Sequence, residues 1–230
     1  MLSYLGHLIT MIAAFIAVIG NTWDENQPGV RKLTLTGRIA VFVVIAGFTI
    51  SSVSTYKEEQ RKEEAHQVAS EEINRHWRAL VYPFTLILWE VHGRSFDYSD
   101  DTLSKLLEVD TINKIKLLNI RDQAPHYHGM WLEVISESTK NGREGLERAS
   151  FKYNFILDQK IITAIHKVTS DYYVDVLISS DVYGEPNHIF NNNDTMDVPM
   201  PFGNLAAEKF YLEYIRDLKN LKEEIDEHLD

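Results

Sequence analysis

Nine histidines and 34 carboxylates in a chain of 230 residues raise metal chemistry first. His126-Tyr127-His128 is the one close pair of imidazoles, at i,i+2 spacing in a segment that Pro125 keeps out of regular structure. A bound ion needs further ligands, and neither an H-E-x-x-H helix nor a carboxylate at a familiar offset supplies them. The pair reads as loop histidines without metal. Asn191-Asn192-Asn193-Asp194, with Asp197, gathers oxygens in the manner of a cation loop but lacks the glycine and terminal glutamate of an EF-hand. Cysteine is absent, which excludes thiolate nucleophiles, disulfides and cysteine zinc sites. Neither a glycine-rich phosphate loop nor a G-x-S-x-G elbow occurs. With no catalytic constellation, cofactor site or metal site to defend, the sequence does not read as an enzyme.

The other polar groups in unusual settings lie in two uncharged runs. His7 stands near the start of the first, where an ionisable side chain is a functional candidate if the run enters a membrane. Gly47, Ser51, Ser52 and Ser54 give the second a small, weakly polar face suited to helix packing or to lining a membrane path.

The elements that position these groups follow from charge. Residues 1–56 hold only Asp24, Glu25, Arg31, Lys32 and Arg38 as charged side chains. Setting these three bases and two acids aside leaves 20 Lys+Arg and 32 Asp+Glu in residues 57–230, a balance of −12 against −11 for the whole chain. The overall mean hydropathy of −0.23 thus averages an apolar head and a polar body. So acidic a body repels nucleic acid, and no direct nucleic-acid binding is expected.

About 20 apolar residues cross a bilayer core as a helix. The spacing predicts spans over about 2–22 and 39–56, joined by a turn-rich loop with Asn21, Asp24, Asn26, Pro28 and Gly29. The first run lacks the preceding bases and the small-x-small site of a secretory signal, so it is read as a retained span. Domains are therefore expected at 1–56 (transmembrane hairpin), 57–72 (charged stalk) and 73–230 (acidic soluble domain). Three basic residues lie in the connecting loop and five follow the second span within Lys57–Arg78, a bias that places the C-terminal domain in the cytoplasm.

The soluble body reads as mainly α. Ile73, Trp77, Leu80, Phe84, Ile87 and Leu88 recur at helical spacing, with Pro83 expected to kink or end the helix near Tyr82. Leu80–Trp89 is too short for a third span and reads as core. Two acidic-capped helices are expected after Ser99 and at Asp110, then a loop over Lys140–Gly145. A long helix is preferred for most of Leu146–Val182, with some strand allowed over 130–182 because Phe151, Tyr153, Phe155 and Leu157 alternate. A last helix is expected from about Asn204 to Leu229.

In layout, the hairpin, the charged stalk from Lys57 and the soluble domain beyond it, the chain resembles the small two-transmembrane effector (toxin) proteins of bacterial anti-phage defence systems such as retrons. The resemblance spans the chain as architecture and carries no motif, so it transfers no functional residue. It implies an antiviral effector of the cell inner membrane, held by a protein partner or homo-oligomer and acting on the lipid bilayer once triggered. The alternative is an anchored sensor or adaptor that recruits a protein partner without damaging the membrane.

Overall fold

The computed structural model describes residues 9, 11, 12, 34–119, 122–124, 127, 129–178 and 205–229. Among them are seven helices and no strand: α1 (Leu35–His92), α2 (Asp100–Leu106), α3 (Val109–Ile115), α4 (Trp131–Tyr153), α5 (Gln159–Thr169), α6 (Tyr172–Ile178) and α7 (Leu205–Leu229). An antiparallel bridge joins Gln123 and Met130. The chain falls into two compact units, residues 1–65 and 66–230, and α1 contributes to both.

In residues 66–230, α1 supplies the central helix. Ala69, Ile73, Trp77, Leu80, Val81, Phe84, Ile87 and Leu88 are buried, and their spacing puts a broad apolar surface at the disposal of the neighbouring helices. Trp77 Nε1 donates to Leu218 O at 2.9 Å, fixing α1 against α7. Phe84 lies 6.2 Å from the rings of both Tyr211 and Tyr214, and Tyr173 of α6 closes the aromatic group at 5.5 Å from Tyr214. The Leu80–Trp89 stretch is core, as its length implied. On α7, Tyr211, Tyr214, Ile215, Leu218, Leu221 and Ile225 are all inaccessible to water, which is the apolar side read from the sequence.

Three expectations are corrected. Pro83 does not end the helix: α1 runs on to His92. An interior proline costs a hydrogen bond and a ring clash, about 3 kcal/mol, and here the residues on either side (Leu80, Val81, Phe84, Leu86, Ile87, Leu88) are buried and hold the helix by packing. Secondly, Lys140–Gly145 is not a loop but the middle of α4. A Cβ on Gly142 would stand 2.6 Å from Leu80 Cγ and 3.0 Å from the His76 carbonyl oxygen, and one on Gly145 would stand 2.0 Å from His76 Nδ1. These glycines allow α1 and α4 to meet backbone to side chain; they are contact residues, not turn formers. Thirdly, the strand allowance over 130–182 fails for the described part, residues 130–178. Tyr153 and Leu157, four apart, are buried while Phe151 and Phe155 are exposed, so the alternation of large residues conceals a helical pattern of burial.

The long helix expected from Leu146 is broken twice, and aspartates make both restarts. Asp158 Oδ1 accepts from the Lys160 N–H at 2.8 Å at the start of α5, and Asp171 Oδ1 from the Tyr173 N–H at 2.8 Å at α6. Each satisfies an amide that a helix start leaves free. Ser99 caps α2 in the same way, accepting from Thr102 N–H at 3.4 Å.

Two outcomes follow from this packing. Gly142→Ala is expected to destabilise the protein by about 1–3 kcal/mol through overpacking, outweighing the roughly 1 kcal/mol by which alanine favours a helix; denaturant unfolding of the full chain in detergent reads this, and an unchanged or raised midpoint would contradict the close approach. The second concerns pH. His76 is held below the usual histidine range by burial and then by Arg75, and His92 by burial and then by Lys114. The unfolded chain therefore takes up protons near pH 6.5 that the folded chain resists, so these groups make stability fall as pH drops through and below that value. Thermal midpoints between pH 7.5 and 5.5 should fall, with a shallower slope in His76→Asn.

Candidate functional site

Between Arg38 and Lys57, helix α1 carries no Asp, Glu, Lys or Arg. These 18 residues, Ile39–Tyr56, extend about 27 Å at helical rise, close to the roughly 30 Å of a bilayer core. The most apolar 18-residue window has a mean hydropathy of 1.9, and only 11% of it is buried. Phe42 is 73% and Phe48 71% exposed, with Ile39, Val41, Val44, Ile45 and Val53 also open around the helix. A helix of a soluble domain hides its apolar side, and this one displays it. Among the described residues, α1 is the one helix long and apolar enough to cross a membrane.

Both threonine hydroxyls of this stretch are satisfied within the helix. Thr49 Oγ1 donates to Ile45 O at 2.9 Å and Thr55 Oγ1 to Ser51 O at 3.1 Å. Such back-bonding to the preceding turn is what hydroxyls require where water is absent. Gly47, Ser51 and Ser54 follow one another at i,i+4,i+7 on one side of the helix; Gly47 is buried and both serines are half-buried. Gly37 and Ala40 are buried too, two turns and more before Gly47. Ser52 does not share this side: it lies about 140° around the axis from Gly47 and is exposed. The four residues taken together from sequence are therefore three plus one.

Of the first predicted span, only Ile9, Met11 and Ile12 are described, all helical, with Met11 and Ile12 exposed. The two-span hairpin and its orientation fall outside the described residues, as do His7, His126, His128 and the Asn191–Asp197 stretch.

In residues 66–230, three ligand-bearing side chains do come together, though not those singled out from sequence. Glu224, Glu227 and His228 place one ligand atom each within 4.8 Å of one another. His228 Nε2 is 3.3 Å from Glu224 Oε2 and 3.9 Å from Glu227 Oε2, contacts between neighbours on one helix. Their i,i+3,i+4 spacing on the last helix was the available signal. A cleft of about 910 Å³ lies between α5, α6 and α7 and presents Lys167, Asp171, Tyr172, Phe210, Glu213 and Asp217. Asp217 is 8% exposed and bonded to Lys167 Nζ at 2.6 Å. Burial, and then the neighbouring Asp217 and Glu213, raise the Asp171 carboxyl above the usual range.

No protein-family model, curated protein or solved structure matches the chain.

Proposed function

We propose that the protein is a membrane-anchored effector that perturbs the inner membrane when its acidic domain, facing the cytoplasm, receives a signal. The observation that carries this reading is the continuity of α1. One helix joins a lipid-length, outwardly apolar stretch to the residues at the centre of the 66–230 core, without a break from Leu35 to His92. Ile39–Tyr56 and the core residues Trp77 and Phe84 thus lie on one helix, and in this reading the signal received by residues 66–230 passes along it. In the reading, residues 2–22 form the second arm of a hairpin, and the side holding Gly47, Ser51 and Ser54 exchanges helix partners on activation. The resemblance of the layout read from the sequence to two-transmembrane anti-phage effectors favours a role in defence, with a protein partner restraining the domain at rest.

One observation favours the alternative, an anchored adaptor. Phe151 at the end of α4 and Phe155 in the turn beyond it are 83% and 75% exposed, a spacing suited to seating a protein partner.

Expression of the protein alone in a bacterial cell separates the two. An effector depolarises the membrane, read with a potential-sensitive dye, and Gly47→Leu or Ser51→Leu relieves it by blocking close helix approach. Unchanged potential at strong expression, with a stoichiometric partner retained through detergent purification, would replace the effector reading with the adaptor.

A further inference from the structure

Cations are outnumbered in this chain, 23 Lys+Arg to 34 Asp+Glu, so a cleft in which several basic side chains gather stands out. Arg75 and Arg78 occupy successive turns of α1, both exposed, and among the described residues neither forms an ion pair. Glu72, one turn before Arg75, is engaged by Lys152 Nζ at 2.8 Å and the Tyr153 hydroxyl at 2.7 Å. Arg78 lies with its guanidinium carbon 5.9 Å over the Tyr98 ring, which orients it without neutralising it.

These two residues line a cleft of about 460 Å³ whose opposite wall is Lys222 of α7. Lys222 is itself positioned: its Nζ is 5.8 Å over the Trp77 ring and bonded to Asp226. Asn74, whose Nδ2 donates to Ser70 Oγ at 3.3 Å, lies between the arginines and the start of the cleft. The one carboxylate on the wall is Glu71, which accepts from Gln67 Nε2 at 3.5 Å. Two unpaired guanidinium groups and the Asp226-paired ammonium of Lys222 thus line a cleft with one carboxylate on its wall, inside a domain whose balance is strongly negative. The volume is that of a small-ligand pocket, and two guanidinium forks beside an ammonium suit the several oxygens of a phosphate.

We infer that the cleft formed by Arg75, Arg78 and Lys222 binds a phosphate-bearing anion. The site stands on this geometry alone; its use as the trigger of membrane activity rests on the effector reading. Arg75 and Arg78 are on the helix that carries Ile39–Tyr56, two turns from Glu72 at most, so an anion bound there acts directly on α1.

Two sources of phosphate are separable. The full chain is placed in nanodiscs of phosphatidylcholine and titrated with inorganic pyrophosphate or ATP against sodium chloride of equal ionic strength. In a second arm, phosphatidylglycerol replaces half of the lipid and no soluble phosphate is added. Thermal midpoint and hydrogen exchange over residues 70–78 are read in each. Wild type should show saturable protection that Arg75→Gln/Arg78→Gln weakens at least roughly tenfold, whereas Arg61→Gln/Lys62→Gln, on exposed charges of the same helix, leaves it intact. Protection in the first arm assigns a soluble phosphate, and in the second a lipid headgroup. No protection in either arm, or equal protection in Arg75→Gln/Arg78→Gln, overturns the site. Depolarisation measured in parallel tests the effector reading independently: an anion that binds a protein without membrane activity leaves the site and removes its role.

Discussion

Helix α1 is apolar and exposed over one stretch and buried in a protein core over another, and that contrast along one backbone is the constraint on which the rest depends. From Ile39 to Tyr56 it carries no charged side chain, exposes large apolar ones, and bonds the Thr49 and Thr55 hydroxyls back to its own carbonyls. From Lys57 to Glu64 it is charged and exposed. From Ala69 onward it is buried on the faces that meet other helices. An α-helix alone permits this sequence of environments, because it meets its own backbone hydrogen-bonding needs whether lipid, water or protein surrounds it.

The helices of residues 66–230 serve this arrangement by different chemistries. Helix α7 holds α1 through aromatic rings and the Trp77–Leu218 hydrogen bond, a contact that positions as well as buries. Helix α4 approaches instead through two glycines, exchanging side-chain volume for proximity at His76 and Leu80. At the other end of that contact, Lys152 and Tyr153 converge on Glu72 and hold its carboxyl below the usual range, the hydrogen bonds of Lys152 and Tyr153 outweighing burial. A core so tied to one helix has few ways to rearrange without moving that helix.

Much of this was legible in the sequence where a single element decides its own pattern. The apolar side of α7, the core character of Leu80–Trp89 and the uncharged length of Ile39–Tyr56 need only periodicity or composition. What was hidden depends on a neighbour. Pro83 is tolerated because distant helices bury its surroundings, and Gly142 and Gly145 mimic a turn signal because the partner at His76 lies far off in sequence. The breaks before α5 and α6 were missed because the 3–4 spacing of apolar residues continues across them, although Asp158 and Asp171 stood at the capping positions. Lys222 reaches the arginines of α1 only through tertiary packing, which no local motif announces.

The account rests on Ile39–Tyr56 lying in lipid, and the absence of native cysteine makes that directly measurable. Single cysteines at Phe48 and at Glu58 in the full chain, in sealed membrane vesicles, are treated with a membrane-impermeant maleimide. The account predicts that Phe48→Cys stays unlabelled until detergent denaturation while Glu58→Cys is labelled from one side of the membrane only. Labelling of Phe48→Cys as readily as Glu58→Cys in intact vesicles would contradict it.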